Sequence, residues 1–546
     1  MGGEGSAALA ARADAQAFSG ASWRSLAPWQ IALSFAALSA PILLFAHPAL
    51  CDYQNHLARI WLIANDMPGR PAVPFYSVDW GHITSDLGVD LAARLLGGVL
   101  TADQIGRLCL SAAVMLPPLG AILLNRRVFG GGNATQLLIP FFAWTLTVLA
   151  GFLNYQIGLG LALLFAALDP IFKARGAAVL MAARCLCGVI LFLDHALALL
   201  FYSLLIGALT FGPTGPGAQP IGPRLVRSIA AAFSGFVPVL LLSLAYRVTP
   251  GNHHPAGAGL KYAWNTLSDT LLALTSPLVS YDLRIDAILA VLLAGAVLFA
   301  LWKGKIRLHA GLVGLALVLL IIQPFLPSAT PQGGWTDRRL PIMALLVLLS
   351  GVQATFPARR AAGLVFALAA FGLVILRTAW IGWSWQGAER LSDEVAAAMS
   401  AVPAGAAVLP VQHVASPAEL AAAPRGRFIF HHEATYRHLQ AMALPDHGAF
   451  VPTEFAQRGV HPIRLQSPWD QIANPEGGEL ASVDALSDAR LIPANASYVR
   501  AWRSRFDYVL VLNADYPDRN GVAPPPGRLA LVRDAGFAVL YRIVRR

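Results

Sequence analysis

Apolar stretches of roughly twenty residues recur along this chain, and nothing else constrains its fold as strongly, because a helix of that length matches about 30 Å of membrane hydrocarbon. They centre on residues 28–46, 105–124, 134–150, 156–172, 177–193, 196–212, 228–246, 283–302, 310–326, 340–356 and 361–380. Eleven spans are therefore expected. Composition agrees: of 546 residues, 56% are hydrophobic and 13% are charged, whereas soluble domains carry about a quarter charged residues. The predicted fold class is a mostly α membrane protein with about 11 transmembrane helices.

The segment 1–26 is Ala/Gly-rich and reads as a disordered cytoplasmic tail. It lacks the compact basic start and small-residue cleavage site of a signal peptide, so the first span is read as an uncleaved anchor. With that end inside, alternate short loops hold Arg126, Arg127, Lys173, Arg175, Arg224, Arg227, Lys303, Lys305, Arg307, Arg359 and Arg360. Basic residues resist translocation, so these loops are assigned to the cytoplasm. Residues 381–546 contain 16 basic and 16 acidic residues, which leaves the whole net charge of +10 in the membrane half. The positive-inside pattern accounts for that surplus, and no basic, aromatic-interleaved patch suggests nucleic acid. The four cysteines, none of them after residue 187, do not indicate a disulfide framework.

Two regions outside the spans are long enough to carry function. The first outer loop, 47–104, shows a helical pattern from Tyr53 to Asn65 and a second in "SDLGVDLAARLLGGVL", expected to lie as helices along the membrane surface. The tail, 381–546, alternates turn-rich segments with the strand-like runs "AAVLPVQ", "GRFIFHH", "FDYVLVLN" and "LALVRDAGFAVLYRI", the last a hairpin. A small α/β domain is predicted there. The division is thus 1–26, a membrane domain over 27–380, and the outer domain over 381–546.

Polar motifs gather on the outer side. "LCDYQNHLARIW" at 50–61 places Asp52, His56 and Arg59 at i, i+4 and i+7, on one helical face. That face suits either a solvated surface helix or a site. The same side holds Asp79, His82, Asp86 and Asp90, "GFLNYQIG" with Asn154 and Tyr155, Asp194 with His195, His253, His254 and Lys261, and "GGWTDRR" with Arg338 and Arg339. Twelve of the thirteen histidines fall there, His309 excepted. Ionisable groups at membrane depth are expensive and usually pair or serve a function. Two arginines against the positive-inside trend suit an anion, since a guanidinium forks onto phosphate. The adjacent pairs His253–His254 and His431–His432 diverge and give no metal-ligand spacing. Gly130–Gly132 is a turn and not a phosphate loop, since no Gly-Lys-Ser follows. "NAS" at 495–497 matches a glycosylation sequon by pattern only.

A carboxylate just after the first span, a long first outer loop, about eleven spans, a late outer-loop basic residue and a C-terminal outer domain together resemble the C-type glycosyltransferase (GT-C) fold. The motifs "DYQNHLAR" at 52–59, "DLGVD" at 86–90, "FLNY" at 152–155 and "DHALAL" at 194–199 are similar to those of a group of bacterial membrane proteins. That group has Phe-Pro where this chain has Tyr53-Gln54, and Asn where it has Asp86. The resemblance implies sugar transfer from a polyprenyl-phosphate-linked donor to an envelope glycan or lipid acceptor, with inversion, at the outer face of a bacterial cytoplasmic membrane. It implies Asp52 as general base, Asp90 as a second carboxylate orienting the acceptor or His56, and Arg338 and Arg339 with His56, Arg59 or His195 on the lipid phosphate. No cofactor is expected, apart from a divalent cation as an open option. The partners are then the lipid-linked sugar, its acceptor and membrane lipid. A transporter or flippase of lipid-linked glycans, or a ligase or polymerase, are the competing readings. The absence of an obvious internal repeat and the early position of the long loop weigh against them.

Overall fold

The computed structural model describes residues 23–66, 71–82, 85–212, 220–248, 262–330, 333–356, 360–457, 460–475, 477–478, 480–516 and 527–545. The expected tail up to residue 22 lies outside these, as do His253, His254 and Lys261. Helix α1 (Trp23–Leu44) opens the membrane half, beginning within the stretch read as tail. In the long connection between the first two spans lie α2 (Tyr53–Asn65) and α3 (Gly88–Leu96). Then follow α4 (Ala102–Phe129), α5 (Leu153–Ala174), α6 (Ala177–Asp194), α7 (Ala196–Phe211), α8 (Ile221–Phe233) and α9 (Val237–Val248). The helices α10 (Leu283–Lys303), α11 (Ala310–Ile322), α12 (Thr336–Ser350) and α13 (Arg360–Met399) complete the membrane half.

Among the described residues, six helices are long and apolar enough to cross a membrane, and shorter apolar helices accompany them. The chain is a multi-pass membrane protein. Leu33, Leu43, Val291, Trp302, Ile321 and Phe325 are all exposed, a cost in water that disappears against lipid. Helices α4 and α5 approach through glycines: a Cβ on Gly120 would stand 2.7 Å from the Leu163 Cβ, and one on Gly160 2.3 Å from the Leu116 Cβ. Small residues let backbones meet where no water drives helices together.

Three expected spans depart from single helices; one of them, 340–356, does so at its end, where the helix stops at Ser350 and a strand runs over Val352–Thr355. The segment 134–150 breaks into Thr135–Leu138, a 3₁₀ stretch over Ile139–Ala143 and Leu146–Leu149, with Pro140 near the break. It is wholly buried, and its loose backbone groups find partners: Arg377 donates to Trp144 O, and the Leu146 N–H donates to Ser276 O at 3.0 Å. Irregular backbone survives in an apolar setting only when protein satisfies it this way. The segment 228–246 is split by a turn between α8 and α9.

The tail folds around a five-stranded sheet. Writing the strands in chain order as β1 (Tyr76–Val78), β2 (Lys305–Leu308), β3 (Val352–Thr355), β4 (Val408–Gln412), β5 (Ile463–Leu465), β6 (Ala481–Ser482), β7 (Tyr508–Leu512), β8 (Leu529–Asp534) and β9 (Ala538–Ile543), the sheet order is β6-β4-β7-β9-β8. β4 lies parallel to both its neighbours, and β7-β9-β8 is antiparallel. The apolar runs of β4 and β7 read as central strands and are buried almost throughout. Helix α13 continues unbroken past residue 381 to Met399 and docks on this sheet, where Glu394 accepts from the Phe537 N–H at 2.6 Å. Strand β1, in the connection between the first two spans, pairs with β5 of the tail. Loop and tail are thus stitched together above the membrane half.

Candidate active site

Five of the polar motifs read from the sequence meet at one place. The backbone around Asp52 is held by the segment that enters "GFLNY": Cys51 N–H donates to Leu149 O and Asp52 N–H to Ala150 O, both at 3.1 Å. Gly151 has φ +92°, and a Cβ there would come within 3.0 Å of the Asp52 Cβ and N. Only glycine tolerates both that dihedral and that approach. His56 Nε2 donates to Gly151 O at 3.1 Å, tying the first turn of α2 to the same glycine. Asn154 then gathers the loop: its amide donates to Asp86 O at 2.7 Å and Asp86 Oδ1 at 2.9 Å, and accepts from the Val89 N–H at 2.8 Å. Tyr155 donates its hydroxyl to Arg339 O at 2.8 Å, and Arg339 Nη1 stands 3.2 Å from His195 Nε2.

The result is a cavity of about 440 Å³, with Asp52, His56, Asn154, Tyr155, His195 and Arg339 in its walls beside Asp86 and Trp335. The remaining predicted site residues lie elsewhere. Arg59 Nε donates to Asp90 Oδ1 at 2.7 Å, with side chains 1% and 0% exposed, in the protein behind the cavity wall. The surface-helix expectation for α2 is corrected: residues Tyr53 to Ile60 are all buried, because the tail domain roofs the face that would otherwise be solvated. Arg59 therefore reaches its carboxylate and not the cavity. Arg338, the neighbour of Arg339 on α12, turns away and stacks 4.2 Å above the Trp335 ring.

Half of the cavity comes from the tail, and no sequence spacing announced it. Glu433, Arg437, His438, Phe455, Gln457 and His461 line that side. His438 Nε2 stands 3.5 Å from Asp52 Oδ1. Its tautomer is set by Asn55, whose Oδ1 accepts from the Phe455 N–H at 2.8 Å, so that its Nδ2 donates to His438 Nδ1 at 3.2 Å. The Nε2–H of His438 is left facing Asp52. The only sequence signal for this half was the crowding of histidines on the outer side.

Electrostatics separates the roles. Burial raises the Asp52 carboxyl, but the His438 Nε2–H that faces it, with the charge of Arg437 nearby, outweighs it and holds Asp52 below the ordinary carboxylate range. Burial, assisted by Arg59, pushes His56 down to about 3, so this imidazole is neutral. Burial also lifts Asp86, against the pull of Arg59 and Asn154, and lifts Asp90 to about 6 despite Arg59.

The opposite wall offers donors. His195 Nδ1 accepts from the Leu197 N–H at 3.2 Å, which puts the ring proton of the neutral form on Nε2, head to head with Arg339 Nη1. Arg339 Nε is buried and has no hydrogen-bond partner among the described residues. The guanidinium also lies over the Phe152 ring at 4.7 Å. Two converging donors with unspent capacity, on an apolar bed, suit an anionic oxygen between them. Among the described residues no three His, Cys, Asp or Glu side chains are grouped to hold a metal.

No protein-family model matches the chain, and no curated protein matches it. Among solved structures it aligns with the crystal structure of ArnT from Cupriavidus metallidurans in the apo state, over 95% of this chain and 98% of that one, at 12% identity and a TM-score of 0.45.

Proposed function

We propose that this protein is a GT-C-type membrane glycosyltransferase that moves a sugar from a polyprenyl-phosphate donor to a glycan or lipid acceptor on the outer face of a bacterial cytoplasmic membrane. One observation carries the reading. A single cavity has the carboxyl group of Asp52 in one wall and the donor pair Arg339 and His195 in another. The acceptor hydroxyl gives its proton to Asp52 as its oxygen attacks the anomeric carbon. The bond from that carbon to the phosphate oxygen breaks, and the polyprenyl phosphate leaves with the electron pair. Charge growing on the phosphate meets Arg339 and the His195 Nε2–H, donors already fixed before reaction. General-base help of this kind is worth about 10² to 10⁴ in rate.

His438 keeps Asp52 oriented and ionised. Arg59 and Asp90 act as a buried pair that holds α2 against α3, so they position Asp52 without touching substrate. Attack from the side opposite the leaving phosphate inverts the anomeric centre. Membranes containing the protein, given a panel of labelled polyprenyl-phosphate sugars and envelope lipid extract, are expected to release polyprenyl phosphate and form a glycoside of opposite configuration. A retained configuration rules out the single-displacement scheme, and no release from any donor rules out the donor class.

A further inference from the structure

Beyond the carboxyl end of β4 the tail domain holds a second cavity, of about 280 Å³, lined by Gln412, His413, Phe428 and Tyr436, with Glu433 and Arg437 in its wall. The same Glu433 and Arg437 line the large cavity, and they form an ion pair with one another. The two spaces therefore share a wall made of one ion pair. β4 runs parallel to both neighbours, and crevices outside the carboxyl ends of parallel strands are where open α/β sheets hold ligands.

The lining gives the chemistry of the occupant. Phe428 and Tyr436 pack edge to face at 5.8 Å and offer aromatic surface. The Gln412 amide is locked, donating to Leu480 O at 3.1 Å and accepting from the Tyr436 hydroxyl at 3.2 Å. His413 Nε2 is held by both Glu419 oxygens at 3.3 Å. The charged side chains in the lining, Glu433 and Arg437, cancel each other, so the space favours neither anion nor cation. Fixed amide and imidazole groups beside aromatic rings, with no net charge, suit a neutral polyhydroxylated ring, whose C–H face lies on the aromatics while its hydroxyls reach the polar groups. We infer that this cavity is a saccharide subsite, holding sugar residues of the acceptor while its reacting hydroxyl enters the large cavity. The acceptor role rests on the glycosyltransferase reading; the binding of saccharide does not.

The test is saturation-transfer NMR on the full-length protein in lipid nanodiscs, with neutral monosaccharides and their methyl glycosides as probes, so that no turnover is needed. At least one probe is expected to bind, to bind equally to Asp52→Asn, and to bind about tenfold more weakly to Gln412→Ala or His413→Ala, the loss of one good polar contact. Gln412→Glu, which keeps the side-chain volume, replaces Gln412→Ala if alanine unfolds the domain. Binding by no probe overturns the inference, as does binding that both substitutions leave unchanged or that Asp52→Asn abolishes. Saccharide binding without any sugar transfer sinks the proposed function and leaves the subsite standing.

Discussion

Gly151 decides where Asp52 sits. Because its φ is +92° and its missing Cβ leaves room for the Asp52 backbone, Gly151→Ala is expected to cost about 1–3 kcal/mol of stability. It should lower transfer at least tenfold by shifting the carboxylate, since small misplacements of catalytic groups are costly. Gly98→Ala, in open space within 4 Å, is the matched control and should leave both activity and thermal stability unchanged. The protonation states give a second prediction. Asp52 is held below the ordinary carboxylate range and His56 near 3, so the active ionisation of both persists as pH falls from neutral. In the Arg59→Met/Asp90→Leu double variant, which lacks the carboxyl that titrates at about 6, the profile of kcat/KM should stay flat on its acid side until below about pH 4. A limb near pH 6.5 would instead point to a histidine as the titrating base. The motif "CDYQNHLAR" made Asp52 and His56 visible in the sequence. His438 was not, because its contact with Asn55 joins residues 383 apart in the chain.

At the scale of elements, α2 and α3 were readable from their helical spacing, and the β8–β9 hairpin from its turn. What the pattern did not reveal is how completely α2 is enclosed. A polar face of His56 and Arg59 looks solvated in sequence. It is in fact buried under the tail, with Asn55 donating to Thr453 O at 2.9 Å and Phe455 against His56. The break in 134–150 was hidden for a related reason: apolar content does not distinguish a straight span from irregular chain packed inside protein, and Pro140 was the only hint. The Arg59–Asp90 pair lies where breaking it leaves a bare buried charge, at about 3–5 kcal/mol, whereas an apolar pair of similar volume is about neutral. Asp90→Leu or Arg59→Met alone should therefore lower the melting temperature markedly, and the double substitution should recover most of it. A double variant whose loss equals the sum of the two single losses would show that the pair is not coupled.

For the whole molecule, the apolar stretches made its membrane character plain, and the basic loops gave the expected orientation. That a tail domain closes the cavity was beyond reach, since the strand pair β1–β5 and the Asp52–His438 contact are both long-range. The orientation is testable directly. Arg490, exposed over 89% of its side chain, becomes a labelling site in Arg490→Cys, against a background where Cys51, Cys109 and Cys187 are buried and the half-buried Cys185 is replaced by serine. A membrane-impermeant maleimide added to intact inner-membrane vesicles of right-side-out orientation should label that cysteine and not one placed at Lys305. The opposite pattern would invert the topology and put the cavity in the cytoplasm, where a lipid-phosphate donor loses its rationale.

The most direct measurement of the central claim, that Asp52 is the base in this cavity, is comparative glycan and lipid analysis of cells carrying wild-type protein, Asp52→Asn at matched abundance, or no protein. Loss of the same glycosylated species from the Asp52→Asn and deletion strains is the predicted result. An Asp52→Asn strain indistinguishable from wild type, beside a deletion strain that lacks the species, would contradict it.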